Sequence, residues 1–260
     1  MKTVLITGAT FGIGYEFAKI FANKKYNLVL VARNRERLNE IESTLKKDNN
    51  IFIKTIVKDL SNPNSAQEIF QELEYDKIVI DILINNAGFG LLGSFSELDL
   101  QEQLNMIQVN VYSLVHLTKL ILPSMLSRGE GKILNVASTA AFQPGPNMAI
   151  YYATKSFVLS FSEALHRELK NNGIIVTALC PGPTKTEFQK RARMGNINLE
   201  RSKLLPYMDA ERVAIIGYKG LTKGKRVVIP GLINKVGVFL VKFLPKSLIL
   251  NVLYKFNSRD

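Results

Sequence analysis

Tyr151 and Lys155 lie four residues apart in a stretch typical of a helix, so both project from one helix face. An ammonium group near a phenol favours the phenolate and lowers the tyrosine pKa, which suits proton transfer near neutral pH. Ser138 follows a predicted strand, and its hydroxyl could hold a carbonyl oxygen. A surface tyrosine and lysine can show the same spacing, so the pair indicates acid–base chemistry only when its surroundings agree.

A glycine-rich segment joins the first predicted strand to the first predicted helix. It reads Thr7-Gly8-Ala9-Thr10-Phe11-Gly12-Ile13-Gly14. Glycines allow a sharp turn and a close approach of a pyrophosphate to the backbone, and a helix N-terminus offers unpaired N–H groups. A tight turn that binds nothing is the alternative. The position at the first strand-to-helix junction favours a nucleotide site.

The second predicted strand ends at Ala32 and is followed by Arg33, with Arg35 and Arg37 close behind. In a dinucleotide-binding fold this end faces the adenosine ribose. An acidic residue there accepts from the 2′-hydroxyl of NAD, whereas an arginine pairs with the 2′-phosphate of NADP. A solvated basic helix start is the alternative. The sequence predicts NADP(H) rather than NAD(H), discriminated by Arg33.

Apolar, β-branched runs alternate with helical patterns along the 260 residues. The predicted strands are Thr3–Thr7, Asn27–Ala32, Ile51–Val57, Ile82–Asn85, Lys132–Ala137, Ile174–Leu179 and Arg226–Ile229. The predicted helices are Gly14–Asn23, Arg35–Lys47, Asn64–Glu74, Leu100–Leu126, Ile150–Asn171 and Asp209–Lys219. This alternation, with no linker or repeat, predicts one α/β domain over residues 1–260 with a doubly wound, parallel, seven-stranded sheet. No run of about 18 apolar residues occurs, so no membrane-spanning segment is predicted.

These features together resemble the short-chain dehydrogenase/reductase family over essentially residues 1–230. The matching motifs are Thr7-Gly8-x-x-x-Gly12-Ile13-Gly14, Asp59-Leu60, Asn85-Asn86-Ala87-Gly88, the tetrad Asn110, Ser138, Tyr151 and Lys155, and Pro181-Gly182-x-x-x-Thr186. Many NADP-preferring members carry a basic residue just before the middle glycine, where this chain has Phe11. Arg33 would therefore carry most of the preference for NADP.

The resemblance implies a Rossmann fold and hydride transfer between a nicotinamide and a carbonyl carbon. Tyr151 would be the proton donor in reduction, Lys155 would lower its pKa and bind the nicotinamide ribose, and Ser138 would polarise the carbonyl. Asn110 would hold a water that links Lys155 to solvent. The implied cofactor-binding residues are Gly8, Thr10, Phe11, Gly12, Ile13, Gly14, Arg33, Asp59, Leu60, Asn86, Ala87, Gly88, Tyr151, Lys155, Pro181, Gly182 and Thr186.

The resemblance also implies a homodimer formed through the two long predicted helices, and it leaves a tetramer open. The activity implied is that of an NADP-dependent carbonyl reductase or alcohol dehydrogenase. A cofactor-binding sensor or scaffold without turnover is the rival reading. The intact tetrad argues against that rival, because a chain without turnover could lose Tyr151 at no cost.

Composition limits the remaining choices. The chain has one cysteine and two histidines, which excludes an internal disulfide and an all-histidine metal site, and we expect no metal. A lone cysteine is typical of a reducing compartment, so a cytoplasmic location is expected. The 34 basic and 22 acidic residues leave a net charge of +12, and most of this excess lies after Lys185.

Two segments interrupt the alternation. Residues 183–205 are polar and basic and are interpreted as a flap over the substrate; residues 232–257 form a basic, apolar tail that Pro245 divides into two helices. Lys235 and Lys242 would share one face of the tail. The tail would cover the cleft, contact an anionic membrane surface, or bind an acidic carrier. Binding of nucleic acid is not expected. A lipophilic substrate is predicted from the apolar residues Phe188, Met194, Leu204, Leu205, Met208, Phe239 and Phe243.

Overall fold

Strands and helices alternate through the chain, whose computed structural model describes residues 1–194 and 207–258. The first elements are β1 (Thr3–Thr7), α1 (Gly12–Asn23), β2 (Asn27–Ala32), α2 (Arg35–Asp48), β3 (Ile53–Val57), α3 (Ser65–Tyr75), β4 (Ile82–Asn85), α4 (Leu100–Ile107), α5 (Ser113–Arg128), β5 (Gly131–Val136) and α6 (Ala149–Leu169). The later elements are β6 (Ile174–Leu179), β7 (Thr184–Lys185), α7 (Phe188–Arg191), β8 (Met208–Asp209), α8 (Ala210–Thr222), β9 (Val227–Val228), α9 (Leu232–Val241) and α10 (Lys246–Asn257).

Seven strands form one parallel sheet in the order β3-β2-β1-β4-β5-β6-β9. The strand order reverses between β1 and β4, and ligands of open α/β sheets bind in the crevice that such a reversal leaves at the carboxyl ends of the strands. The predicted doubly wound, seven-stranded fold is confirmed.

Helices cover both faces of this sheet. Ile6 on β1 packs with Phe17 and Phe21 of α1 in one core cluster, while its neighbour Leu5 points to the other face and packs with Ile69 of α3. Successive residues of a strand face opposite sides, which is why β1 is apolar throughout. Each such fully buried side chain contributes about 1.5–3 kcal/mol, so the sheet gives the site a rigid base.

The predicted helix Leu100–Leu126 is divided into α4 and α5 by a π-helical turn, Gln108–Tyr112. Among the described residues, Leu100–Arg128 is the one helical stretch long and apolar enough to cross a membrane by length and composition alone. Its residues Leu117, Ile121 and Met125 are buried against the sheet. That packing is typical of a core helix.

The predicted flap begins with β7, which pairs in parallel with β8, a strand beyond the flap's predicted end at residue 205. The flap is described as far as Met194, and Leu204 and Leu205 lie outside the described residues.

Pro245 separates α9 from α10, so the predicted division of the tail is confirmed. Strands β3 and β9 are shorter than predicted, because both lie at the edges of the sheet.

Candidate active site

The glycine-rich turn lies at the carboxyl end of β1. Gly8 and Gly12 have φ values of 66° and 54°, a region that favours glycine. A Cβ on Gly14 would collide with the carbonyl oxygen of Gly8 and with the amide of Asn86. The turn is therefore closed to larger side chains and leaves its backbone accessible, which fits the close approach of a pyrophosphate.

Asn86 fixes this turn to the end of β4. Its Nδ2 donates to the carbonyl oxygens of Thr7 at 2.9 Å and Gly8 at 3.1 Å. The Thr7 hydroxyl accepts hydrogen bonds from the backbone N–H groups of Asn86 and Ala87, both at 3.0 Å. Thr7 was not predicted as a site residue, and its place immediately before Gly8 is the signal that could have identified it.

Tyr151 and Ser138 meet across the cleft. Tyr151 is in the first turn of α6 and Ser138 follows β5, and both line the same cleft. The Ser138 hydroxyl donates to the carbonyl oxygen of Pro181 at 3.5 Å. The Ser138 oxygen also accepts from the Ala140 N–H at 3.1 Å. Desolvation raises the pKa of Tyr151 to about 12, and the nearby Ser138 hydroxyl opposes this rise. Burial thus keeps the phenol protonated at neutral pH.

Lys155 lies beneath the tyrosine ring, but it does not produce the expected shift. Its Nζ donates to the carbonyl oxygen of Val136 at 2.8 Å and lies 5.9 Å from the centroid of the Tyr151 ring. Burial lowers the pKa of Lys155 to about 8. Lys155 is not among the groups that shift the pKa of Tyr151 here, because desolvation disfavours the charged forms of both groups. The lowering of the Tyr151 pKa by Lys155 stays a prediction.

Asn110 occupies the π-helical turn between α4 and α5, a feature frequent at functional sites. Its Nδ2 donates to Phe89 O at 2.9 Å and to Thr154 Oγ1 at 3.1 Å, and its Oδ1 accepts from Phe89 N at 3.0 Å. A Cβ on Gly88 would lie 3.0 Å from Asn110 Oδ1 and 3.3 Å from Lys155 Nζ. Asn110 therefore ties the loop after β4 to α6, directly beside the lysine.

The end of β2 carries a cationic group. Arg33 is exposed, and its Nη1 lies 3.5 Å from Asp59 Oδ2. Burial raises the pKa of Asp59, but the Ser61 N–H and Arg33 outweigh this effect and the net pKa is lowered. The guanidinium of Arg37 instead lies over the Phe11 ring at 5.7 Å. Arg33 is thus the arginine that borders the cleft at this end.

One continuous cavity of about 1190 Å³ runs from Arg33 to Tyr151 along the carboxyl ends of the strands. All the predicted site residues except Asn110 and Gly14 line it: Gly8, Thr10, Phe11, Gly12, Ile13, Arg33, Asp59, Leu60, Asn86, Ala87, Gly88, Ser138, Tyr151, Lys155, Pro181, Gly182 and Thr186. The cavity exceeds the ordinary ligand pocket of about 300–1000 Å³. Its length, glycine turn and terminal arginine fit a dinucleotide with room for a substrate.

The loop after β6 closes the cavity from the other side. A Cβ on Gly12 would lie 2.7 Å from Cγ2 of Thr186, so the two glycine-containing motifs approach each other across the cleft. A Cβ on Gly182 would collide with the side chain of Asn234 in α9. The tail therefore packs directly on the loop that carries the Pro181-Gly182-x-x-x-Thr186 motif.

The end of α10 supplies part of the cavity wall. The tail was expected to cover the cleft as one alternative, but none of the residues involved was named. Leu253, Phe256 and Asn257 line the cavity. Asn257 Nδ2 donates to the carbonyl oxygen of Pro146 at 2.8 Å, and Asn147 Nδ2 donates to the carbonyl oxygen of Asn257 at 3.3 Å. More than a hundred residues separate these partners in sequence, so no local pattern could reveal the contact.

Some of the apolar residues from which a lipophilic substrate was predicted line the cleft. Phe188 lines the cavity with its ring centroid 5.2 Å from that of Tyr151, and Met194 also lines it. Phe239 and Phe243 do not, since they are 59% and 71% exposed on the outside of α9 and its C-terminal end. These two phenylalanines therefore add nothing to the apolar lining of the cleft, because α9 turns its one buried residue, Val238, toward the body.

The parallel sheet, the glycine turn and the tyrosine–lysine pair together define a nucleotide-binding α/β oxidoreductase. The family model described as short chain dehydrogenase matches residues 2–196. The chain belongs to the short-chain dehydrogenase family.

Relatives and solved structures resemble the chain over most of its length. The very-long-chain 3-oxoacyl-CoA reductase of Anas platyrhynchos is 30% identical over 263 residues, which cover 98% of this chain and 80% of the relative. A short-chain dehydrogenase from Sphingobium yanoikuyae in complex with NADPH has a TM-score of 0.83 and 32% identity, covering 96% of this chain and 95% of that one. The bulky-bulky ketone specific alcohol dehydrogenase from Comamonas testosteroni has a TM-score of 0.78 and 30% identity, covering 95% and 96%.

Proposed function

We propose that this oxidoreductase is an NADP-dependent carbonyl reductase or alcohol dehydrogenase that acts on a lipophilic ketone, aldehyde or acyl carbonyl. The observation that carries the proposal is that Ser138 and Tyr151 line one cavity, which begins at the glycine turn. A proton donor and a carbonyl-binding hydroxyl side by side are what carbonyl reduction needs from the protein.

The chain's residues would have the following roles in the reaction. When bound, the nicotinamide supplies or accepts the hydride. The Tyr151 hydroxyl donates its proton to the carbonyl oxygen in reduction and takes it back in oxidation, so the carbonyl gains one hydride and one proton. The Ser138 hydroxyl binds the same oxygen, while Lys155 would bind the nicotinamide ribose. Asn110 holds the loop at Phe89 in place beside Lys155, and the expected water between Lys155 and solvent remains a proposal.

The preference for NADP(H) rests on Arg33 at the end of β2, where an NAD-binding site would carry an acidic residue. The Sphingobium yanoikuyae dehydrogenase, which was solved with NADPH, supports this assignment. The motif residues that line the cavity are proposed to hold the cofactor.

The substrate class rests on the walls of the cleft near Tyr151. Met148 and Phe188 lie with Tyr151 around Gly90, and Leu253 and Phe256 line the same cavity. Apolar walls exclude water and favour apolar ligands. The Anas platyrhynchos relative is a reductase of very-long-chain 3-oxoacyl-CoA, and the Comamonas testosteroni structure is of a dehydrogenase specific for bulky ketones. Both names are consistent with a bulky, lipophilic carbonyl substrate.

The test is the Tyr151→Phe variant, which removes the donated proton and keeps the ring. NADPH oxidation with a panel of bulky ketones should fall about 100-fold or more in kcat, with NADPH binding nearly unchanged. Tyr152→Phe, on the next residue of α6, is the matched control and should keep its activity. If the wild type binds NADPH and reduces no member of a broad panel, the rival sensor or scaffold function gains support.

We also infer a cytoplasmic homodimer. Exposed apolar side chains on α4 and α6, such as Leu100, Leu104 and Phe157, support pairing through these helices, because exposed apolar patches mark interaction surfaces. Light scattering of the purified chain distinguishes a dimer from a tetramer. Peripheral contact of the tail with an anionic membrane is also expected as one alternative.

A further inference from the structure

The two tail helices bury little of their apolar surface. Val238 is the one buried residue of α9, and Ile249 and Asn257 are the buried residues of α10. A helix of a globular domain ordinarily packs its apolar stripe on the core. Here the large apolar side chains that face outward, which we name the tail surface, are Leu232, Ile233, Val236, Phe239, Leu240, Phe243, Leu244, Leu248, Leu250, Val252 and Tyr254.

Two phenylalanines form the most prominent part of the tail surface. The rings of Phe239 and Phe243 lie 5.0 Å apart, centroid to centroid, and both are more than half exposed. Scattered exposed apolar residues are normal, whereas a continuous set marks a binding surface for a lipid or protein.

The charges around the tail surface are all of one sign. Lys235, Lys242, Lys246 and Lys255 are exposed, and residues 232–258 contain no aspartate or glutamate. Within the described parts of the chain these four lysines make no ion pair. A basic, phenylalanine- and leucine-rich helical surface complements an anionic lipid interface. A second copy of this chain would bring like charges together, which disfavours self-association through this surface.

We propose that the tail surface docks on an anionic lipid membrane, with its apolar side chains in the headgroup–acyl boundary and its four lysines among the anionic headgroups. This goes beyond the proposed activity and does not depend on it. The opposite side of α10 carries Leu253 and Phe256, which line the cavity. One helix thus adjoins the cleft on its inner side and meets the membrane on its outer side.

Flotation of the purified full chain with vesicles tests the proposal. The wild type should float with mixed phosphatidylcholine–phosphatidylserine vesicles at low salt, and weakly with phosphatidylcholine alone. High salt should reduce the bound fraction, because surface electrostatics are screened.

Two sets of variants separate the apolar and charged contributions. Phe239→Glu with Phe243→Glu, and separately Lys235→Glu with Lys242→Glu, should each lower the vesicle partition coefficient by about tenfold or more. The exposed body residues Phe52 and Tyr75, both changed to Glu, are the matched apolar control. The exposed Lys47 and Lys170, both changed to Glu, are the charge control. Neither control should alter binding.

Three outcomes would overturn the proposal. The first is a wild type that stays in the lipid-free fractions with phosphatidylserine vesicles at low salt. The second is loss of binding in the control variants to the same extent as in the tail variants. The third is a tail variant that still floats but changes from dimer to monomer by light scattering, which would assign the surface to self-association. Flotation needs neither cofactor nor turnover, so its failure is distinguishable from failure of the proposed activity.

Discussion

The Nζ of Lys155 lies 5.9 Å from the centroid of the Tyr151 ring and donates its hydrogen bond to the backbone of Val136. No carboxylate is among the causes that shift the pKa of either residue. Desolvation therefore governs both pKa values, raising that of Tyr151 to about 12 and lowering that of Lys155 to about 8. The Tyr151 phenol is therefore neutral at neutral pH, and the Lys155 ammonium loses its proton at a lower pH than an ordinary lysine does.

The lowered pKa of Lys155 predicts a pH-dependent stability. The unfolded chain holds the proton up to the ordinary lysine pKa of 10.5, whereas the folded chain releases it near 8. Between these values the unfolded state binds more protons, so stability rises with pH. Relative to Lys155→Met, the cofactor-free wild type should gain about 2 kcal/mol between about pH 8 and pH 10.

Urea unfolding at the two pH values measures this difference. Lys170→Met, at an exposed position beyond α6, is the control and should show no comparable change relative to the wild type. A difference between wild type and Lys155→Met that stays constant with pH would show that the buried lysine titrates normally.

Arg33→Ala should reduce the preference for NADPH over NADH by about tenfold, equivalent to about 1.4 kcal/mol. The reason is that Arg33 is the arginine that borders the cavity at the end of β2. Fluorescence titration with both cofactors measures the two affinities. Arg35→Ala, two residues further along and exposed, should leave the ratio unchanged. If the wild type already binds NADH as tightly as NADPH, Arg33 is a solvated charge and an oxidative role becomes the better reading.

Gly14→Ala should destabilise the protein by about 1–3 kcal/mol and abolish tight NADPH binding. The added methyl group would collide with the backbone of Gly8, which Asn86 holds in place. Gly237→Ala in α9 is the contrasting change, since nothing lies within 4 Å of its Cβ. There the better helix propensity of alanine should stabilise the protein by about 0.5–1 kcal/mol. Thermal unfolding and NADPH titration of both variants check the two expectations, and equal behaviour would contradict the close contact at Gly14.

Asn257→Ala should loosen α10 from the cleft. The change removes the hydrogen bond to Pro146 and leaves a carbonyl oxygen without its partner, at a cost of about 1–3 kcal/mol. Hydrogen exchange across α10 should accelerate, and KM for bulky substrates should change more than kcat. Asn251→Ala, exposed on the same helix, should do neither. Unchanged exchange in Asn257→Ala would show that α10 is held by its other contacts.

Much of the architecture was predictable because it rests on local patterns. Runs such as Thr3–Thr7 and Ile174–Leu179 are apolar on both faces, and a buried parallel strand requires this. Pro245 divides the tail because proline cannot continue a helix. The glycine turn was recognisable because few residues besides glycine adopt the φ values of Gly8 and Gly12.

The π-helical turn at Asn110 was not predictable from periodicity. The segment reads as one uninterrupted helix, and the turn is decided by the hydrogen bonds from Asn110 to Phe89 and Thr154. These partners are brought together by the crossing of three separate elements. The same reason explains why Thr7 was missed, since its role depends on the neighbouring strand β4.

The sequence by itself determined the order of the elements, the turn at Gly8 and the tyrosine–lysine spacing, because each depends on contacts within one or two turns of the chain. Tertiary structure decided which groups are desolvated and which partners meet. It raised the pKa of Tyr151 where spacing alone predicted a decrease. It also turned Phe239 and Phe243 outward and brought Asn257 to Pro146 at the cleft. Burial and long-range hydrogen bonds depend on the packed arrangement of all the elements, which no single segment encodes.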